Sequence, residues 1–248
     1  MEIYKHYDFK MEYKQLCNVY EKLEATSKRL EKTAILADFL KSVSVEELEE
    51  VALLIQGLVY PIWDERKLGF SSSSIVKALA LAAGISAESV TNIWRDTGDL
   101  GECARKLMHN KKQATLFVHK LTVTKVFSNL RKLADVAGKG SVDTKIGLIT
   151  ELLSGASDIE AKFIVKTVLD ELRIGLGVGT LRDAIAAAYL PRVVGVSFGV
   201  PDDAAKNRKT LVFEDLKEIQ KANLQKFEFL YSENEKLARE AYNWIVAE

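Results

Sequence analysis

The stretch Leu172-Arg173-Ile174-Gly175-Leu176-Gly177-Val178-Gly179-Thr180-Leu181-Arg182-Asp183-Ala184-Ile185-Ala186 decides how the rest of the chain is read. Its three alternate glycines lie between two segments of helical period. Phe163, Ile164, Val168 and Leu169 carry that period before them, and Leu181, Ala184, Ile185 and Ala188 carry it after. The spacing predicts helix over residues 159–172 and a tight glycine turn into the next helix. Such a turn leaves backbone N–H groups uncovered by side chains, and the following helix start adds unpaired donors and a positive dipole end. With Arg173 and Arg182 beside it, the stretch is a candidate anion site.

Two other readings stay open on these residues alone. A dinucleotide site calls for G-x-G-x-x-G directly after a buried strand, with an acidic residue about twenty positions on. Here the order is G-x-G-x-G and the preceding period is helical. Alternatively, the glycines only permit close helix packing.

A second occurrence favours the anion site. Asp64-Glu65-Arg66-Lys67-Leu68-Gly69-Phe70-Ser71-Ser72-Ser73-Ser74-Ile75-Val76 aligns with the stretch beginning Asp170-Glu171-Leu172-Arg173-Ile174-Gly175. Lys67 matches Arg173, and Gly69 matches Gly175. Each copy runs from a helix through a basic residue, an apolar residue, a glycine and a small-residue turn into an apolar helix. The duplication predicts two pseudo-symmetric halves presenting paired anion sites. Two phosphate cradles suit a duplex backbone better than one small ligand. Gly138-Lys139-Gly140-Ser141 repeats the logic in a third place, with Ser141 as the expected N-cap and Lys145 one turn into the helix that carries Ile146, Ile149, Leu152 and Leu153.

Composition bounds the partners. The 248 residues are 48% hydrophobic and 28% charged, which suits an ordinary globular chain with a sizeable core. Lysine plus arginine equals aspartate plus glutamate at 35 each, so any DNA-binding surface must be a local patch. Cys17 and Cys103 offer neither zinc spacing nor a disulfide framework, which fits a reducing cytoplasm. No apolar run approaches the length of a membrane span, and the charged N-terminus is unlike a signal peptide.

Along the chain, residues 1–10 read as an extension. Helices are expected from Tyr13 (Leu16, Tyr20, Leu23), around Leu30 to Leu40, over residues 45–59, from Ile75, from an N-cap at Ser86, and from an N-cap at Asp99. The charged run 21–29 reads as a solvated face, and Trp63 reads as core. Between residues 104 and 145 the balance turns basic: Arg105, Lys106, Lys111, Lys112, Lys120, Lys125, Arg131, Lys132, Lys139 and Lys145 face only Asp135 and Asp143. That excess favours a polyanion partner, with a merely solvated face as its alternative. His109 and His119 have no companion at metal-ligand spacing. Residues 113–123 offer a short strand candidate. Residues 191–231 read as an irregular loop and an added helix, and Leu237, Ala241, Tyr242 and Ile245 as a last helix.

Several of these motifs occur together in one known arrangement. The segment from Glu21 to Leu30, Thr97-Gly98-Asp99-Leu100-Gly101-Glu102, Gly138-Lys139-Gly140-Ser141 and Leu172-Arg173-Ile174-Gly175 resemble, in order and separation, the N-terminal DNA-binding domain of ATP-dependent DNA ligases of the archaeal and eukaryotic replicative type. The likeness runs from about Met11 to Leu190, and the segment 191–231 departs from the family's shorter connection. The resemblance implies an all-α domain of about ten to twelve helices in two halves, about 11–110 and about 120–248 with the insertion inside the second. It implies sequence-independent binding of nicked duplex DNA through phosphates and the minor groove, in replication, repair and recombination.

The DNA-contacting set expected on this basis is Lys67, Gly69, Ser72, Lys139, Gly140, Ser141, Lys145, Arg173, Gly175, Gly177 and Thr180. The family's adenylated lysine lies in a Lys-x-Asp-Gly motif, and none occurs in this chain. No catalytic residue, metal ligand or bound cofactor is therefore expected in the chain itself. ATP and Mg2+ are expected for a parent ligase, with nucleotidyltransferase and OB-fold domains as further partners, a sliding clamp as an additional candidate, and no membrane. A helical protein-interaction scaffold and a small complete nucleic-acid enzyme are the competing classes.

Overall fold

The computed structural model describes residues 10–110, 120–136, 138 and 140–189. Among them the chain is all-α: ten α-helices, one 3-10 turn and no strand. The described residues fall into two compact units, one drawn from the described part of 10–18 and 53–172, the other from 19–52 and 173–189. The segment 191–231, the expected last helix, Lys139 and most of the strand candidate lie outside the described residues. So do residues 1–9 of the N-terminal extension.

In the first unit, α4 (Ser72–Ala83) packs on α8 (Ser141–Gly155), and α6 (Leu100–His109) packs on α9 (Asp158–Val168). The helix α5 (Ala87–Thr97) packs on α4 and α6, and α7 (Val123–Asp135) packs on α8. The periods read from the sequence are the buried faces: Ile75 and Leu79 of α4, Ile149, Leu152 and Leu153 of α8, and Phe163 and Ile164 of α9 are all fully buried. The helices begin where short polar side chains can cap them. Ser86 accepts from the Ser89 amide at 3.1 Å, Asp99 from the Glu102 amide at 2.7 Å, and Ser157 forms a capping box with Glu160. The start of α7 is fixed by backbone as well. Tyr13 N–H donates to the Leu121 carbonyl at 2.8 Å and Val123 N–H to the Met11 carbonyl at 2.9 Å, on either side of an isolated antiparallel bridge, Glu12 to Thr122. That bridge is the only extended pairing among the described residues of the strand candidate.

In the second unit, α2 (Arg29–Leu40) packs on α10 (Val178–Tyr189). Leu36 and Leu40 of α2 and Leu181, Ala184 and Ile185 of α10 are buried. Ala34 and Ala37 of α2 are buried as well. The helix α1 (Tyr13–Glu24), divided between the two units after Asn18, follows the expected face, with Leu16, Tyr20 and Leu23 fully buried.

Four expectations need correction. The helix expected over 45–59 is a 3-10 turn, Val45–Glu47, followed by α3 (Leu48–Ile55), because Gly57 takes a φ of +75° that ends the helical path. The helix expected to reach Leu172 stops at Val168, and Asp170 takes a φ of +58°. Ser141 is the first residue inside α8; Gly140, at a φ of +84°, turns the backbone one residue earlier and takes the N-cap position itself. Trp63 is not core: it is 64% exposed beside Ile62 at 69%, while Tyr60, three residues earlier, takes the buried aromatic place.

Candidate nucleic-acid interface

The glycine stretch is a strap rather than a tight turn. Residues 171–177 run without regular structure from the end of α9 into α10, and of the three alternate glycines only Gly175, with a φ of +61°, is held where other residues rarely go. A Cβ on Gly177 would meet nothing within 4 Å among the described residues, and Gly179 lies inside the first turn of α10, where a Cβ would meet Arg29 Nη2 at 3.5 Å.

A lysine behind the strap shapes it. Lys32 of α2, only 5% exposed, donates its ammonium to the carbonyls of Ile174 and Gly175, the latter at 3.0 Å. The described peptide bonds are all trans, so each N–H points opposite to the carbonyl of the same peptide unit. With the Ile174 and Gly175 carbonyls drawn onto Lys32, the N–H groups of Gly175 and Leu176 face away from it. Neither has an acceptor among the described residues. Successive amides turned the same way form a nest for an anion. Arg173 is exposed beside it. Arg29 reaches Asp183 of α10 at 2.6 Å, and Arg182 is half-buried and bonds Asp183 at 3.3 Å.

The first unit holds a second strap of the same make. The segment ending in Lys67-Leu68-Gly69 leads into α4, and Gly69 has a φ of +58°. Lys145 of α8 donates to the Leu68 carbonyl at 2.9 Å, which turns the Gly69 N–H away, again without an acceptor among the described residues. Lys67 and Gly69 are exposed. The helix that follows is capped by Ser71, whose hydroxyl accepts from the Ser74 amide at 3.2 Å.

Upstream of Lys67 the strap is anchored firmly. The Arg66 guanidinium lies 3.7 Å from the centre of the Tyr60 ring and meets both oxygens of Asp64, at 3.0 and 2.6 Å. Arg131 of α7 donates to the Val59 carbonyl at 2.9 Å and its own carbonyl accepts from the Tyr60 hydroxyl at 3.1 Å. Hydrogen bonds from the Arg66 side chain and backbone lower the Asp64 carboxyl to about 2, and the same pairing pushes the Arg66 guanidinium up. Burial, with Asp135 nearby, raises the Tyr60 phenol. Arg66 is therefore committed to the fold, and Lys67 is left as the outward cation.

The expected contact residues thus separate into groups. Lys67, Gly69, Arg173, Gly175 and Gly177 are exposed on the two straps, and Gly140 is exposed at the start of α8 with Ser141 half-buried next to it. Ser72 is half-buried at the start of α4; Thr180 is buried, its N–H bonded to the Gly177 carbonyl at 2.9 Å; Lys145 supports a strap from behind. The basic excess of 104–145 is partly spent on carboxylates that the fold brings from elsewhere: Lys125 pairs with Glu151 at 2.6 Å and Lys120 with Glu12. His109 meets Asp158 at 3.5 Å. Sequence reasoning missed Lys32. Its signal was there: Lys32 lies four residues before Leu36 and eight before Leu40, a cation on an apolar stripe.

Comparison with known proteins identifies the family. A family model described as DNA ligase N terminus matches residues 12–186. The chain is similar to the DNA ligase of Methanothermobacter thermautotrophicus, 44% identical over 177 residues that make up 71% of this chain and 32% of that protein. It is also similar to the DNA ligases of Thermococcus fumicolans, 42% identical over 72% of this chain and 32% of that protein, and Archaeoglobus fulgidus, 37% identical over 79% and 35%. It thus spans about a third of the length of the curated relatives it matches. By both its family-model match and its relatives, the chain belongs to the DNA ligase N-terminal family.

Proposed function

We propose that this chain binds nicked duplex DNA through its phosphate backbone, without reading sequence, as the DNA-binding part of an ATP-dependent ligase in replication, repair and recombination. The observation that carries the proposal is the pair of straps. Each turns backbone N–H groups that have no acceptor among the described residues away from its lysine, at Gly69 and at Gly175 with Leu176, beside an exposed cation, Lys67 or Arg173. Backbone amides and single cations hold phosphates but carry no base information. Ser141 and Gly140 extend the contact set at the start of α8.

The described residues do not fit ATP or a divalent metal. The sequence has no Lys-x-Asp-Gly, and the described residues have no group of three or more His, Cys, Asp or Glu placed to hold a metal. Adenylation and sealing fall to the nucleotidyltransferase and OB-fold domains of a parent ligase, with a sliding clamp as a further partner. No single helix among the described residues is long and apolar enough to cross a membrane. A cytoplasmic location completes the proposal.

A second reading, a helical protein-interaction scaffold, draws on the exposed Ile62 and Trp63. Titration of a nicked duplex at several salt concentrations separates the two. Phosphate neutralisation releases counterions, so affinity should fall linearly on a log–log plot, with a slope that counts phosphates. Absence of binding at low salt would remove the DNA reading and leave the scaffold.

A further inference from the structure

Two lysines, at Lys32 and Lys162, are equally buried at 5% exposure, yet they are neutralised differently. Lys162 has the Glu102 carboxylate at 3.0 Å. Lys32 has only the carbonyls of Ile174 and Gly175, and no carboxylate within ion-pair distance among the described residues. Lys145, half-buried, is in the same position, with only the Leu68 carbonyl. Burying a cation is costly unless it is paired and hydrogen-bonded, and carbonyl dipoles supply the hydrogen bonds without supplying the opposite charge. In both places the ammonium without a carboxylate lies under a strap. A Cβ built on Gly175 would come within 2.7 Å of Lys32 Nζ, and one on Gly69 within 3.4 Å of Lys145 Nζ. Each glycine therefore lets an ammonium rest directly against the strap whose amides face the other way.

We propose that Lys32 and Lys145 are positioning residues for phosphate binding: each draws the strap carbonyls inward, so that the Gly175 and Leu176 amides, or the Gly69 amide, face a DNA phosphate whose negative charge the ammonium complements from behind. This rests on the reading of the straps as phosphate sites. It assigns Lys145 a place behind the strap instead of on the DNA, and it adds Lys32. The ammonium and the nest act together. Without the lysine, the carbonyls lose their inward partner and the amides lose their common direction.

The test uses the 248-residue chain with nitrogen-15 amide spectra, titrated with a short nicked duplex. In the wild type, the Gly69, Gly175 and Leu176 amide signals should move as duplex is added. Lys32→Met should abolish the movement at Gly175 and Leu176 while leaving that at Gly69, and Lys145→Met should do the reverse. Each variant should weaken binding about tenfold, the effect of losing hydrogen bonds to a charged group. If Lys32→Met does not fold, Lys145→Met, at the less buried position, carries the test alone. Wild-type movement that persists unchanged at the strap whose lysine is removed would overturn this assignment while leaving phosphate binding intact. No movement at any of the three amides in the wild type would instead sink the proposed function.

Discussion

The two straps differ in what stands behind and after their glycines. In the strap at Gly175 the supporting lysine is buried and holds two carbonyls, and the residue before α10 is Gly177, which has no side chain with which to cap the helix. At Gly69 the supporting lysine is half-buried and holds one carbonyl, and Ser71 already satisfies one amide of α4. The first arrangement leaves more donors for a ligand and depends more on a single buried contact. The second is firmer by itself, through the Arg66, Tyr60 and Arg131 cluster, and offers less. Stability and donor supply are thus traded differently in two stretches of similar sequence.

The largest expected effect tests that dependence. Both glycines have left-handed φ values near +60°, so alanine costs about 1–2 kcal/mol at either from backbone strain. At Gly175 it also pushes Lys32 off its carbonyls, adding on the order of another 1.5–3 kcal/mol. Urea unfolding should therefore show Gly175→Ala clearly less stable than Gly69→Ala, and equal losses would break the comparison. Next is Gly177→Asp. Nothing lies within 4 Å of a Cβ there, so the unfolding midpoint should stay within experimental error of the wild type. Duplex affinity should nonetheless fall about tenfold, because a carboxylate replaces open backbone next to a phosphate. Unchanged affinity would remove the strap from the interface.

A smaller effect is expected at the outward cations. Arg173→Ala and Lys67→Ala should each lower the log–log salt slope by about one, on any DNA sequence, with the arginine costing more because its planar fork can hold a phosphate at two points. Slopes that stay at the wild-type value in both would mean that the two side chains are only solubilising. The smallest effect concerns Asp64. Its carboxyl is held at about 2, so the Asp64–Arg66 pairing contributes in full above the ordinary carboxylate range and is lost progressively as pH falls from there through about 2. A carbon-13 titration of the side-chain carboxyl should show no midpoint between pH 3 and 5; one found there would mean that the anchor of the Gly69 strap is looser than the geometry indicates.

The helices were legible because burial follows their period. Leu16, Tyr20 and Leu23, or Ile146, Ile149, Leu152 and Leu153, read the same way in the sequence and in the core. The straps were half legible. Glycine spacing signals freedom of the backbone but not its length, so a turn was expected where seven residues run irregularly from Glu171 to Gly177. The place of Lys145 was not legible, because a basic residue near glycines suits contact and support equally well until its carbonyl partner, 77 residues away, is known. Trp63 misled for a related reason: a large aromatic gains from burial, but Tyr60 could take the place while also satisfying its hydroxyl on the Arg131 carbonyl.

The pairing of α2 with α10 also sets a timetable for synthesis. Lys32 and the Gly175 carbonyl are 143 residues apart, and the whole of α2 has emerged long before α10 exists. At about 5–20 residues per second, the ribosome needs roughly 7–30 s to pass from the end of one helix to the end of the other. A twelve-residue helix is marginal by itself in water, so α2 must wait in the nascent chain with its apolar stripe and its ammonium unpartnered. An early stop anywhere before residue 178 would therefore cost the protein a helix near its beginning as well as the one it removes.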